Sequence, residues 1–153
     1  SIDWRTDHSG TATGFTGPPS DHTTGSGKYI YLETSTPCPR KEALVNSPCI
    51  DLTSSSFGTL KFWYHMYGST IGSLNVDVLS NGEWINDISA PIVGNQGNLW
   101  IQKTVDLTPY TGQKIIIRFR GKTGNGYTGD IAIDDISVDR FPVVSFNTND
   151  FFG

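Results

Sequence analysis

What most constrains this chain is a ladder of short apolar-polar alternations broken by turns, with no helical period of 3.6 residues between them. In Leu60-Lys61-Phe62-Trp63-Tyr64-His65-Met66-Tyr67 the side chains divide by parity. Leu60, Phe62, Tyr64 and Met66 take one side, while Lys61, Trp63, His65 and Tyr67 take the other, and Lys61 marks its side as wet. The same reasoning puts Leu74, Val76 and Val78 inside with Asn75 and Asp77 outside. Ile115, Ile117 and Phe119 go inside, with Arg118 and Arg120 outside. Strands are expected over 29–34, 42–45, 58–67, 73–79, 83–88, 99–107, 113–120 and 130–138. Turn signals separate most of them, among them Asn81-Gly82 and Gly94-Asn95-Gln96-Gly97. This pattern calls for an all-β fold of antiparallel sheets, a β-sandwich or a jelly roll.

A chain of 153 residues can bury one sizeable core. One β-sandwich domain is expected over 1–140, with 141–153 a linker or a shortened last strand. The first 28 residues lack apolar periodicity and are dense in Gly, Thr, Ser, Pro and Asp. A loop of that length in a compact domain is functional or pinned, for instance by a metal ion. A start at Ser1, without an initiator Met or signal peptide, is expected of a piece of a larger exported protein, although a processed terminus would look the same. Cys38 and Cys49 flank a short Pro-rich segment. They form either one bridge, of the kind stable in oxidising compartments, or two free thiols.

The net charge is −4 and the cationic residues are scattered, so no nucleic-acid partner is expected. No apolar run approaches the roughly 20 residues that span a bilayer, so no membrane insertion is expected. The three histidines, His8, His22 and His65, sit among serines and aspartates, but no G-x-S-x-G elbow, HExxH or phosphate-binding Gly-rich loop accompanies them. No enzyme activity is expected.

Calcium is the expected cofactor, as a structural ion held by hard oxygens from loops at one end of the sandwich. The N-terminal loop offers Asp3, Asp7 and Asp21, and the last strand offers Asp130, Asp134 and Asp135. Asp134 and Asp135 are adjacent, so both cannot follow simple alternation, and one of them must turn toward a cation or a hydrogen-bond donor. Asp21 and Asp135 lead the set, with Asp3 and Asp134 behind them, and Na⁺ is an alternative ion. The competing reading is that the turned aspartate accepts N–H groups of the loop.

Several segments, in order from about residue 3 to 139, resemble the MAM family of extracellular domains. They are Asp3-Trp4-Arg5, Thr16-Gly17-Pro18, Asp21-His22-Thr23 and Gly27-Lys28-Tyr29-Ile30-Tyr31-Leu32-Glu33. Further on come Phe62-Trp63-Tyr64-His65-Met66-Tyr67-Gly68, Gly97-Asn98-Leu99-Trp100 and Gly129-Asp130-Ile131-Ala132-Ile133-Asp134-Asp135-Ile136. The resemblance implies a jelly-roll module of adhesion receptors, secreted or membrane proteases, or exported bacterial enzymes, and hence a secreted or extracellular location. Animal members usually carry four cysteines and an additional opening strand. This chain departs from both, as a bacterial-type member would.

If the alternating strands share one sheet, its outer face carries Trp63, His65 and Tyr67 for stacking on sugar rings. The same face would carry Asn75 and Asp77 for hydroxyls, and Arg118 and Arg120 for sulfate or carboxylate groups. A second, loop-borne cluster comprises Trp84, Trp100, Lys122, Asn125 and Tyr127. The expected function is a non-catalytic carbohydrate-binding module that anchors an enzyme to a polysaccharide, possibly a sulfated one. The alternative is a protein-protein adhesion or oligomerisation module, binding another extracellular protein. The aromatics could instead pack beneath a crossing loop, and Arg118 could pair with Asp77.

Overall fold

A computed structural model describes residues 2–34 and 40–143. They form eleven strands: β1 (Trp4–Asp7), β2 (Tyr29–Leu32), β3 (Glu42–Asn46), β4 (Ile50–Asp51), β5 (Ser55–Met66), β6 (Ser73–Ser80), β7 (Glu83–Ile85), β8 (Ile92–Val93), β9 (Ile101–Asp106), β10 (Lys114–Lys122) and β11 (Ile131–Pro142). The one helical element among them is a single 3-10 turn, Thr108–Tyr110. Two antiparallel sheets face each other. The first runs β1-β2-β11-β5-β9 and the second β3-β10-β6-β7, with β4 pairing β10 and β8 pairing β6. No helix among the described residues is long and apolar enough to cross a membrane.

The parity reading of β5, β6 and β10 holds for the core. Leu60, Phe62, Tyr64 and Met66 are buried against Leu74, Val76 and Val78 and against Ile115, Ile117 and Phe119. The Phe62 and Phe119 rings meet edge to face at 4.9 Å and join the two sheets. Each such side chain contributes about 1.5 to 3 kcal/mol when taken fully out of water. Asn81 and Gly82 both have positive φ, 51° and 81°, as a two-residue hairpin between β6 and β7 requires.

Three expectations need correction. β5 lies in the first sheet, while β6 and β10 lie in the second, so Trp63, His65 and Tyr67 do not share a face with Asn75, Asp77, Arg118 and Arg120. The opening segment also contains a strand: β1 pairs with β2 in the register Trp4↔Leu32 to Asp7↔Tyr29. Only Trp4 in that strand is apolar, so it carries no period of its own. Finally, β11 continues beyond Val138 through Pro142, pairing Phe141 with Phe57.

β11 contains the irregularity that the adjacent aspartates imply. Asp134 opposes Trp63 and Ser137 opposes Lys61, so Asp135 and Ile136 together face the single residue Phe62. This is a β-bulge, and Asp135 sits in the left-handed region at φ 46°. The bulge turns the Asp135 side chain toward the N-terminal loop.

Candidate functional site

The outer face of the first sheet is closed. The segment between β1 and β2 crosses it, and His22 stacks on Trp63 with ring centroids 3.8 Å apart and planes 18° apart. The His22 backbone N–H donates to Asp134 Oδ2 at 2.8 Å, and its Nδ1 lies 2.7 Å from Asp135 Oδ2. The Thr23 hydroxyl also donates to Asp135. Trp100 Nε1 donates to Ser20 O at 3.2 Å, and the Trp100 ring meets His65 and Tyr29 edge-on. Tyr29, Tyr31 and Ala132 pack with Trp100 in a second small cluster beneath the loop. His65 is buried and donates from Nε2 to Asn98 Oδ1 at 2.9 Å, and burial pushes its pKa down. Trp63 and His65 are therefore packing residues of the loop seat. Tyr67 stays half-buried at the end of the face.

His22 approaches both Asp135 and Thr23 through the same ring nitrogen. A hydrolase triad needs the nucleophile on one ring nitrogen and the carboxylate on the other, so this cluster cannot relay a proton between them.

The outer face of the second sheet is built around Asp77, whose side chain is 0% exposed. Arg118 Nε and Arg120 Nε each donate to Asp77 Oδ2 at 2.9 Å. Arg120 Nη2 and the Asp87 N–H donate to Oδ1 at 3.1 and 2.9 Å. Burial alone would raise the Asp77 pKa, but the two guanidinium groups and the Asp87 N–H outweigh it and hold the carboxyl below the ordinary range. Asp77 in turn pushes Arg120 upward. Arg120 also bonds Asp87, which accepts from Asn75 Nδ2 at 2.6 Å. Arg118 extends the network outward: its Nη2 donates to Asn86 Oδ1 at 2.9 Å, and its guanidinium lies 3.9 Å from the centre of the Trp84 ring. Glu42 lies between Arg120 and Lys122 at 3.7 and 3.6 Å.

The loop-borne cluster is dispersed. Trp100 belongs to the seat under the N-terminal loop, Trp84 to the edge of the second sheet, and Tyr127 is an exposed ring in the segment after β10. Asn125 is exposed in that same segment, and Lys122 pairs with Glu42. Cys49 is exposed, and Cys38 lies outside the described residues.

Among the aspartates expected to hold calcium, Asp21, Asp134 and Asp135 accept from protein donors. Asp21 accepts from the Thr24 N–H and hydroxyl and from the Gly27 N–H, and the Thr24 backbone bond leads in lowering its pKa. Asp134 and Asp135 hold His22 and Thr23 as described, and Asp3 is exposed. Asp130 is different. Its side chain is buried, Oδ1 accepts from the Thr34 N–H and hydroxyl at 2.9 and 3.0 Å, and Oδ2 is buried without a partner. Burial raises its pKa, against the lowering pull of the Thr34 bonds and of the nearby Thr11 hydroxyl. An orphaned carboxylate oxygen under a Thr- and Gly-rich loop suits a hard cation. No three His, Cys, Asp or Glu side chains converge among the described residues, so hydroxyl and carbonyl oxygens would have to complete the shell.

Two antiparallel sheets, a bulged last strand and a loop laid over one face make a jelly-roll module, and comparison places it. The chain belongs to the MAM family (MAM domain, meprin/A5/mu), whose profile matches residues 1–142. It is 42% identical over 128 residues to the MAM domain-containing glycosylphosphatidylinositol anchor protein 1 of Rattus norvegicus, covering 82% of this chain and 13% of that protein. It is 35% identical over 138 residues to Neuropilin-1a of Danio rerio, covering 88% and 15%. The chain thus spans about an eighth of the length of these relatives. Among solved structures, the K1 cleaved adhesin domain of Lys-gingipain from Porphyromonas gingivalis W83 superposes with a TM-score of 0.58 at 19% identity, over 90% of this chain and 83% of that one. TmCBM61 in complex with beta-1,4-galactotriose superposes with 0.55 at 13% identity, over 90% and 88%. At these identities the structural likeness concerns the fold.

Proposed function

We propose that this domain is a non-catalytic carbohydrate-binding module of an extracellular multidomain protein, and that it holds a polysaccharide on the outer face of its second sheet. The observation that carries the reading is the indole of Trp84, braced by Arg118 and the buried Asp77 at the edge of the second sheet. A stacked and hydrogen-bonded guanidinium is fixed in place, so a sugar ring or a charged substituent meets a preorganised surface. The fold shared with TmCBM61, a carbohydrate-binding module, supports the same reading by analogy. Affinity electrophoresis against neutral and sulfated polysaccharides tests it. Selective retardation by one glycan, lost in Trp84→Ala at unchanged stability, is expected. No retardation across the panel would overturn it.

Protein recognition is the second reading. It is favoured by the anchor-protein and neuropilin relatives and by the exposed Phe57, Phe141 and Val143 at the far end of β11, where the two rings lie 5.5 Å apart. Sedimentation of the domain alone separates the two readings, because adhesion through that patch gives concentration-dependent dimers.

A structural calcium ion accompanies the proposal, with Asp130 as its anchoring carboxylate and with the N-terminal loop as the element it pins. An ion bound at a hundred times its dissociation constant stabilises the native state by about 2.7 kcal/mol. Chelation is therefore expected to lower Tm by roughly 5 to 10 °C, with restoration by added calcium. An identical melt with and without chelator would remove the ion from the account.

A further inference from the structure

A second polar surface lies at the loop end of the sandwich, away from the Trp84 face. The N-terminal loop between Gly10 and Pro19 folds back on itself and, together with Tyr67 and Asn98, lines an open cleft of about 360 Å³. No charged residue lines it. The loop is rigidly seated there. The buried Thr16 hydroxyl donates to Tyr67 O at 2.8 Å and accepts the Asp130 N–H at 2.8 Å. At its tip stands Phe15, 85% exposed and at φ 65°. An aromatic residue in the left-handed region is a backbone outlier that the surrounding structure must enforce. Here the ring gains no packing in return, so folding stability does not explain it.

Asn98 supplies the second element. Its Oδ1 is an acceptor only, so the buried, desolvated His65 must carry its proton on Nε2 and donate to it. That bond fixes the amide orientation of Asn98, a residue that lines the cleft and whose NH₂ group carries two donors. Thr11 and Thr13 line the same cleft, alongside Tyr67. An exposed aromatic face, an oriented amide and hydroxyls without charge match a pyranose ring, which presents apolar C–H groups on one face and hydroxyls around its edge.

We infer that this cleft is a separate subsite for a single neutral sugar ring, at a chain end or branch, with Phe15 as its stacking platform and Asn98 as its oriented donor. The inference rests on the reading of the domain as a carbohydrate binder. Its test uses the whole domain, ¹⁵N-labelled and titrated separately with D-galactose, D-glucose, D-mannose and L-fucose, with D-glucuronate as a charged comparison. One neutral sugar is expected to shift the Asn98 side-chain amide and the Gly14 and Gly17 backbone amides along a saturating curve, and D-glucuronate to bind more weakly. Phe15→Gly should weaken that binding about three- to tenfold, the loss of one aromatic contact. The same change should raise Tm, because glycine adopts the positive φ without strain. Retardation of the domain by a polysaccharide that depends on Trp84, with no cleft shift from any of the four neutral sugars, would overturn this subsite and leave the proposed function standing. Shifts unchanged in Phe15→Gly would overturn it as well. Absence of any glycan binding, on gels or in the titrations, would remove both.

Discussion

Replacing Asp77 with alanine is expected to destabilise the domain by about 3 to 5 kcal/mol, because it removes the buried counter-charge that Arg118 and Arg120 share. The arginine side chains are 13% and 8% exposed, so water cannot replace the lost carboxylate without opening the sheet face. Asp87 and Glu42 compensate Arg120 in part, which places the effect at the lower end of that range. Urea unfolding at neutral pH measures it, and a loss under about 1 kcal/mol would contradict the role given to Asp77. The sign of its pH dependence follows from the lowered pKa. The folded value lies below the unfolded one of about 3.9, so the contribution of Asp77 is complete above about pH 4 and fades as pH falls through the folded value. The gap between wild type and Asp77→Ala should therefore be constant near neutrality and close below about pH 4.

The second large effect is expected at Gly68, which ends the Tyr-His-Met-Tyr-Gly segment. Its φ is 146°, and a Cβ placed there would lie 2.1 Å from Thr128 O. Thr70 N–H also donates to Thr128 O, so that carbonyl is held and cannot move aside. Gly68→Ala combines backbone strain with a clash against fixed main chain and should cost about 2 to 5 kcal/mol. Gly82→Ala is the matched control: its φ is also positive, but a Cβ there meets open space, so the cost should be about 1 kcal/mol. Thermal melts of the two variants compare them directly, and equal losses would contradict the account.

The core was legible because its strands alternate strictly. Leu60 to Met66, Leu74 to Val78 and Ile115 to Phe119 each carry every second residue inward, and the structure buries those residues. The partition of strands between sheets was not legible, since parity says which side of a strand is wet but not which sheet it joins. That is why seven outward residues read as one face separate into the Trp63 and Asp77 groups. The adjacency of Asp134 and Asp135 did announce an irregularity, and the bulge with its left-handed Asp135 is its physical form. The network binding Asp77 was visible only as an alternative pairing with Arg118. Arg120 joins it through the pairing of β10 with β6, diagonal to Asp77, and Asp87 joins it because the turn after β7 brings its backbone onto Asp77, a contact made at a positive φ of 56°. Phe15 gave no sequence signal at all: one aromatic residue among glycines and threonines has no period, and its exposure appears only once the loop is folded.

The four tryptophans report separately on which face of the sandwich takes a ligand. Trp4 Nε1 donates to Ala43 O and Trp100 Nε1 to Ser20 O, while Trp63 lies under His22 and Trp84 against Arg118. The direct measurement is an NMR titration of the four indole N–H signals with oligosaccharides of the polysaccharide that retards the domain on gels. A shift of the Trp84 indole, with Trp4, Trp63 and Trp100 unmoved, is the expected result. Movement of Trp63 or Trp100 with Trp84 silent would mean that the loop lifts from the first sheet to expose the ligand site, and would contradict the assignment made here.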